Sequence, residues 1–155
     1  MENPILHQGT RARSALKAVV LYSEIESGLK ARTLLQRASR RAGWAGAMEN
    51  SFWRFDVMTK PSVAREALYG AANADMVLLV AKGMAHPPEW LLEWLEIWAL
   101  SRRIQDAILA AWCEEHVSQR PNRGIAALRK LAERHGLVFL CADEVRAQAL
   151  SPALA

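Results

Sequence analysis

Short apolar runs alternate along the chain with amphipathic stretches. Ala18-Val-Val-Leu-Tyr-Ser23 is a compact apolar run and predicts a strand. From Gly28 to Ala42, the residues Ala31, Leu34, Leu35, Ala38 and Ala42 recur at the spacing of one helical face. Phe52 to Met58 alternates Trp53, Phe55 and Val57 with Arg54 and Asp56, which predicts a half-exposed strand at a sheet edge. Pro61 and Ser62 lead into a helix carrying Val63, Ala67, Leu68 and Ala71. Met76 to Ala81 is apolar throughout, the pattern of a central strand buried on both faces.

The same alternation continues to the end. Pro87 and Pro88 open the longest helix, running to about Arg103, because proline is tolerated in a first helical turn. Ala107 to Cys113 predicts a fourth strand. Asn122 is a candidate N-cap for a helix over Ile125, Leu128, Leu131 and Ala132, closed by His135 and Gly136. Leu137 to Cys141 predicts a fifth strand, and Asp143 can cap a short helix from Glu144 to Leu150, stopped by Pro152.

Strands alternating with helices imply right-handed crossover units and a parallel sheet. Five units fit an α/β fold: a single three-layer, doubly wound five-stranded sheet of order 2-1-3-4-5. Residues 1–16 read as an arm or short leading helix, and residues 17–152 as the domain.

Composition narrows the class without naming a chemistry. The chain has 155 residues, 52% hydrophobic and 23% charged, which excludes a disordered chain, a collagen-like repeat and a disulfide scaffold. A net charge of +4 permits an acidic partner and does not require one. Cys113 and Cys141 are too few for a secreted framework. The opening MENPILHQGTRARSALK has no apolar signal segment, and Met76–Ala81 falls far short of the roughly 20 residues of a membrane span. The expectation is a cytoplasmic protein with no membrane association.

In the order and length of its elements, residues 18–150 resemble the flavodoxin-like and response-regulator receiver superfolds. The receiver resemblance implies an aspartate after the third strand, an acidic pair after the first, Ser/Thr after the fourth and lysine after the fifth. Here the third strand ends in Ala81-Lys82-Gly83, the first in Ser23-Glu24, the fourth in Cys113-Glu114 and the fifth in Cys141-Ala142. Magnesium-dependent phosphoryl transfer needs carboxylates to hold the cation, so the resemblance implies a receiver-like module without a phosphoacceptor. The flavodoxin resemblance implies a phosphate loop after the first strand, where this chain carries Ser27, Gly28 and Lys30. Glu24 and Glu26 repel a phosphate there, and an ordinary helix start with Ser27 as N-cap explains the loop as well.

Ligands of doubly wound sheets bind beyond the carboxyl ends of the strands. Ser27, Gly28, Lys30 and Lys82 are the candidate cofactor-binding residues there, for FMN or a nucleotide. Glu24 and Lys82 end adjacent strands and can form an ion pair, read as structural. Cys113 and Cys141 end neighbouring strands, but match neither C-x-x-C nor a zinc spacing and read as small hydrophobes. No nucleophile elbow, dinucleotide fingerprint or P-loop occurs, and no catalytic or metal-binding residue is assigned.

The most unusual stretch is Pro87 to Arg103. Trp90, Trp94 and Trp98 recur every four residues, and Leu91, Leu95 and Ile97 widen the apolar surface beyond what one sheet face requires. Large rings fill space above a sheet, and tryptophan is enriched at interfaces. The helix around Lys30, Arg32, Arg37, Arg40 and Arg41 is basic, but lacks interleaved aromatics and reads as a solvated face, not a nucleic-acid site. The expected function is a non-catalytic, receiver-like regulatory or protein-interaction module, a homodimer or binder of a protein partner through Trp90, Trp94 and Trp98. The alternative is a flavin- or nucleotide-binding enzyme with its site at the ends of the first and third strands.

Overall fold

The computed structural model describes residues 16–41, 48–82, 87–113 and 123–141. The elements are β1 (Leu16–Tyr22), α1 (Ile25–Arg41), β2 (Met48–Arg54), α2 (Phe55–Met58), α3 (Pro61–Ala71), β3 (Met76–Ala81), α4 (Glu89–Ser101), β4 (Ile108–Cys113), α5 (Arg123–His135) and β5 (Val138–Cys141). The strands form one parallel sheet in the order β2-β1-β3-β4-β5, the flavodoxin-like arrangement. The arm and the helix expected from Glu144 to Leu150 lie outside the described residues.

Crossover handedness sets the layers. The chain steps from β1 to β2 in one direction and from β2 through β5 in the other. Right-handed connections therefore place α1 on one face and α3, α4 and α5 on the opposite face. Strand side chains alternate accordingly. Val19, Leu21, Val77, Leu79, Leu109 and Ala111 pack under the three-helix layer, while Ala18, Val20, Leu78, Val80 and Ala110 meet Ala31 and Leu35 of α1.

The tryptophan helix turns Trp94 and Trp98 inward, where the sequence left them open to a partner surface. Trp98 is 0% exposed and Trp94 4%. Both indole N–H groups are satisfied within the fold, Trp94 Nε1 donating to Ala64 O and Trp98 Nε1 to Ala71 O, each at 2.9 Å. Trp90 is half-buried, edge-on to Phe55 with ring centroids 5.6 Å apart. The physical reason is the neighbour: α3 contributes Ala64, Ala67 and Ala71 to this layer, and large rings fill the space that alanines leave.

Two other expectations shift. The edge strand is Met48–Arg54, and the chain turns into α2 where alternation predicted more strand. Arg54 Nε donates to Asp56 Oδ1 at 2.7 Å, and Thr59 Oγ1 to Asp56 O at 2.7 Å, local bonds that stabilise the turn over extension. Ser27 does not cap α1. The helix begins at Ile25, Gly28 N–H donates to Glu24 O at 3.1 Å, and Ser27 Oγ is buried without a hydrogen-bond partner.

Two glycines in helices give opposite predictions. A Cβ on Gly28 would meet the Tyr22 ring at 3.0 Å, whereas one on Gly70 would meet nothing within 4 Å. Alanine gains about 0.5–1 kcal/mol of helix propensity over glycine. Gly70→Ala is therefore expected to stabilise the protein by up to about 0.5 kcal/mol, near a helix end. Gly28→Ala is expected to destabilise it by about 1 kcal/mol, because pushing the ring outweighs the propensity gain. Urea unfolding of the two variants measures both signs; the same sign in both contradicts this packing.

Candidate functional site

Lys82 and Glu24 meet at the crest as expected, Nζ to Oε2 3.7 Å, both side chains about half exposed. The Lys82 backbone N–H donates to Ser23 Oγ at 3.2 Å, and Ser23 N–H to Val80 O at 3.0 Å. These bonds tie the end of β1 to that of β3, so the pair serves as a structural clasp. At the crest end of β2, the Arg54 guanidinium beside Asp56 holds that carboxyl below its usual range. Among the described residues no group of three His, Cys, Asp or Glu is placed to hold a metal. Residues 83–86, 114–122 and 142–150, with His86, Glu114, Glu115, His116 and Asp143, which the sequence pattern assigns to loops after the strands, lie outside the described residues.

The four candidate cofactor residues do not converge. Ser27 is buried beneath α1. Gly28 is buried too, under the Tyr22 ring, and lines a cleft towards β2. Lys30 lines a groove on the other flank of α1, towards β4, and Lys82 stands at the crest with Glu24. Cys141 is buried, and the register pairs it with Ala111.

The sequence reading missed what lies beside α1. Five strands at about 4.8 Å spacing make a face more than 20 Å wide, and a helix with its side chains spans about 10 Å. On the α4 side three helices cover that width. On the α1 side one does, among the described residues, and it packs on β1, β2 and β3. Apolar side chains of β4 and β5 remain at the surface there. Val138 is 47% exposed and Leu140 41%, and Ile108 and Trp112 are half-buried. α1 extends this surface. Leu34, expected to face the core, is exposed with Leu29, because burial of Ala31 and Leu35 already seats the helix. A groove of about 360 Å³ runs between α1 and Trp112, lined by Leu29, Leu34 and Thr33 with Glu26, Lys30 and Arg37 at its sides. The exposed Lys30, Arg32, Arg37, Arg40 and Arg41 make α1 cationic, against the single acid Glu26. The signal in the sequence was that β4, ILAAWC, and β5, VFLC, are apolar at the positions of both faces.

A polar cluster joins α4 to α5 on the far side of the molecule. Glu96 bonds Arg134, and His135 Nε2 lies 2.7 Å from Glu96 Oε2. Arg102 donates to His135 O at 2.7 Å. The His135 ring, then Arg134, hold the Glu96 carboxyl below its usual range against a partial desolvation cost. A lowered carboxyl pKa stabilises the fold above the ordinary carboxylate value of about 4.3, and that stabilisation is lost as pH falls through the folded value. Glu96→Gln is expected to cost about 1 kcal/mol at neutral pH and little in acid, so the two unfolding curves converge on acidification. Parallel curves down to low pH would contradict this assignment. No described helix is long and apolar enough to cross a membrane. Comparison with protein-family models, with curated proteins and with solved structures finds no match.

Proposed function

We propose that this chain is a non-catalytic protein-interaction module that seats a helix of a partner protein on the β4–β5 half of the sheet, against α1. The single observation that supports it is an exposed apolar strip beside α1: Val138 is 47% and Leu140 41% exposed, next to the groove between Trp112 and α1. The exposed half is two strands wide, about 10 Å, the width of one helix.

Charge selects the partner. The wall of the seat is α1, with Arg37 at the groove. An amphipathic helix with an apolar stripe and acids beside it satisfies both the strand residues and the cations. A second copy fits less well. A two-fold interface is self-complementary, so two α1 helices carrying five cations each would lie together.

The test is a titration with a designed helical peptide of leucine and glutamate, compared with the same peptide carrying lysine for glutamate. Saturable binding of the acidic peptide alone supports the reading. Equal binding of both, or of neither, contradicts it. Anionic vesicles binding in place of the peptide would also contradict it, because the same cations and leucines could then be serving a lipid surface.

A further inference from the structure

The opposite flank of α1 carries a separate cavity. It occupies about 550 Å³ between the first half of α1 and the outer strand β2, within the range of small-molecule sites. Its apolar surface comes from Tyr22, Leu29, Met48 and Phe52, and its polar groups include Arg32 and Asn50. Register explains the convergence: Met48, Asn50 and Phe52 alternate onto the α1 face of β2, and Phe52 lies two residues along from Asn50.

Four features of this cavity point to a ligand. Gly28 has no side chain, so the Tyr22 ring lies close against α1; a Cβ there would be 3.0 Å from it. Tyr22 and Phe52 meet edge to face, with centroids 6.5 Å apart, and together offer an aromatic surface. Arg32 lines the cavity and makes no ion pair among the described residues. Asn50 Oδ1 is shut off from solvent without a hydrogen-bond donor. An acceptor left this way is costly, and a small turn of the amide about its soft terminal torsion presents it to a donor in the cavity.

We propose that the cleft between α1 and β2 binds a small planar organic acid that carries a hydrogen-bond donor. Its ring lies along Phe52 and Leu29, its carboxylate meets Arg32, and its donor reaches Asn50. Arginine is suited to this because its planar fork matches a carboxylate. The site lies on the other flank of α1 from the helix seat, with Leu29 bordering both, and its test reads Arg32, Asn50 and Phe52, which the seat does not use.

The probe is 4-hydroxybenzoate, followed by amide chemical shifts of the full chain. Saturable shifts at Gly28, Arg32, Asn50 and Phe52 are expected. Arg32→Gln, at an exposed position that leaves the fold intact, is expected to weaken binding about tenfold or more, the worth of a charge-assisted pair. The neutral 4-hydroxybenzamide is expected to bind wild type about as weakly as the acid binds the variant, and 4-methylbenzoate, without the donor, to bind several-fold more weakly than 4-hydroxybenzoate. No saturable shift, shifts that map elsewhere, or an affinity unchanged in Arg32→Gln would each overturn the proposal.

Discussion

Trp98→Ala is expected to remove about 3–5 kcal/mol of stability, a large part of what a domain of this kind possesses. The ring is wholly buried between α3 and the sheet, among Ala67, Ala71, Leu79 and Leu109 in one core, so truncation leaves a cavity that the alanines around it cannot fill. It also strips a donor from Ala71 O, one of the last carbonyls of α3, whose remaining partner is the Ala74 N–H at 3.0 Å. Trp98→Phe separates the two effects. It keeps most of the apolar volume and loses the N–H, and is expected to cost about 1–3 kcal/mol. Trp90→Ala, at a half-buried position, is expected to cost less than Trp98→Ala. Urea unfolding monitored by circular dichroism measures all three. A loss below about 1.5 kcal/mol for Trp98→Ala would mean that the tryptophan helix does not pack as described.

The second large effect concerns binding. Trp112 forms the wall of the groove opposite α1 and is half-buried in the chain alone, so the proposed helix would cover it further. Buried aromatic anchors near the centre of an interface carry most of its energy, typically 2–4 kcal/mol on truncation. Trp112→Ala is therefore expected to weaken the acidic helix about 30-fold or more, with little loss of stability because the side chain is already partly in water. Arg37→Glu, at the groove's side, acts differently. It is expected to slow association and flatten the salt dependence, and to leave stability within about 0.5 kcal/mol of wild type. Fluorescence titration at low and moderate salt measures both. If Arg37→Glu strengthened binding, the charge argument would be wrong even with the seat in place.

These two residues show which parts of the molecule were legible from sequence. Met76–Ala81 is read to the residue, because a strand buried on both faces is apolar throughout and needs no side assigned. Strand order followed from the fit of five alternating units to the flavodoxin-like pattern, with the polar alternation of the second strand marking it as an edge. Phe52–Met58 was misread because Trp53, Phe55 and Val57 satisfy the strand period while Asp56, through its bonds to Arg54 and Thr59, favours a turn. Periodicity sees apolar spacing and not a local side-chain bond. The tryptophans illustrate a second limit. Their spacing identifies one helical face, but whether that face is core or surface depends on the volume left by α3, a residue set some 30 positions earlier. The exposed apolar residues of β5 were hidden for the same reason: apolar residues on both faces of β4 and β5 read as burial, and only the structure shows Val138 and Leu140 at the surface.

The most direct test of the helix seat is an amide-shift map of the uniformly labelled chain with the designed leucine–glutamate helix bound. The account predicts saturable shifts at Leu29, Leu34, Trp112, Val138 and Leu140, with the α3–α4 layer around Trp98 unchanged. Shifts confined to the tryptophan layer, or no saturable change at all, would contradict it.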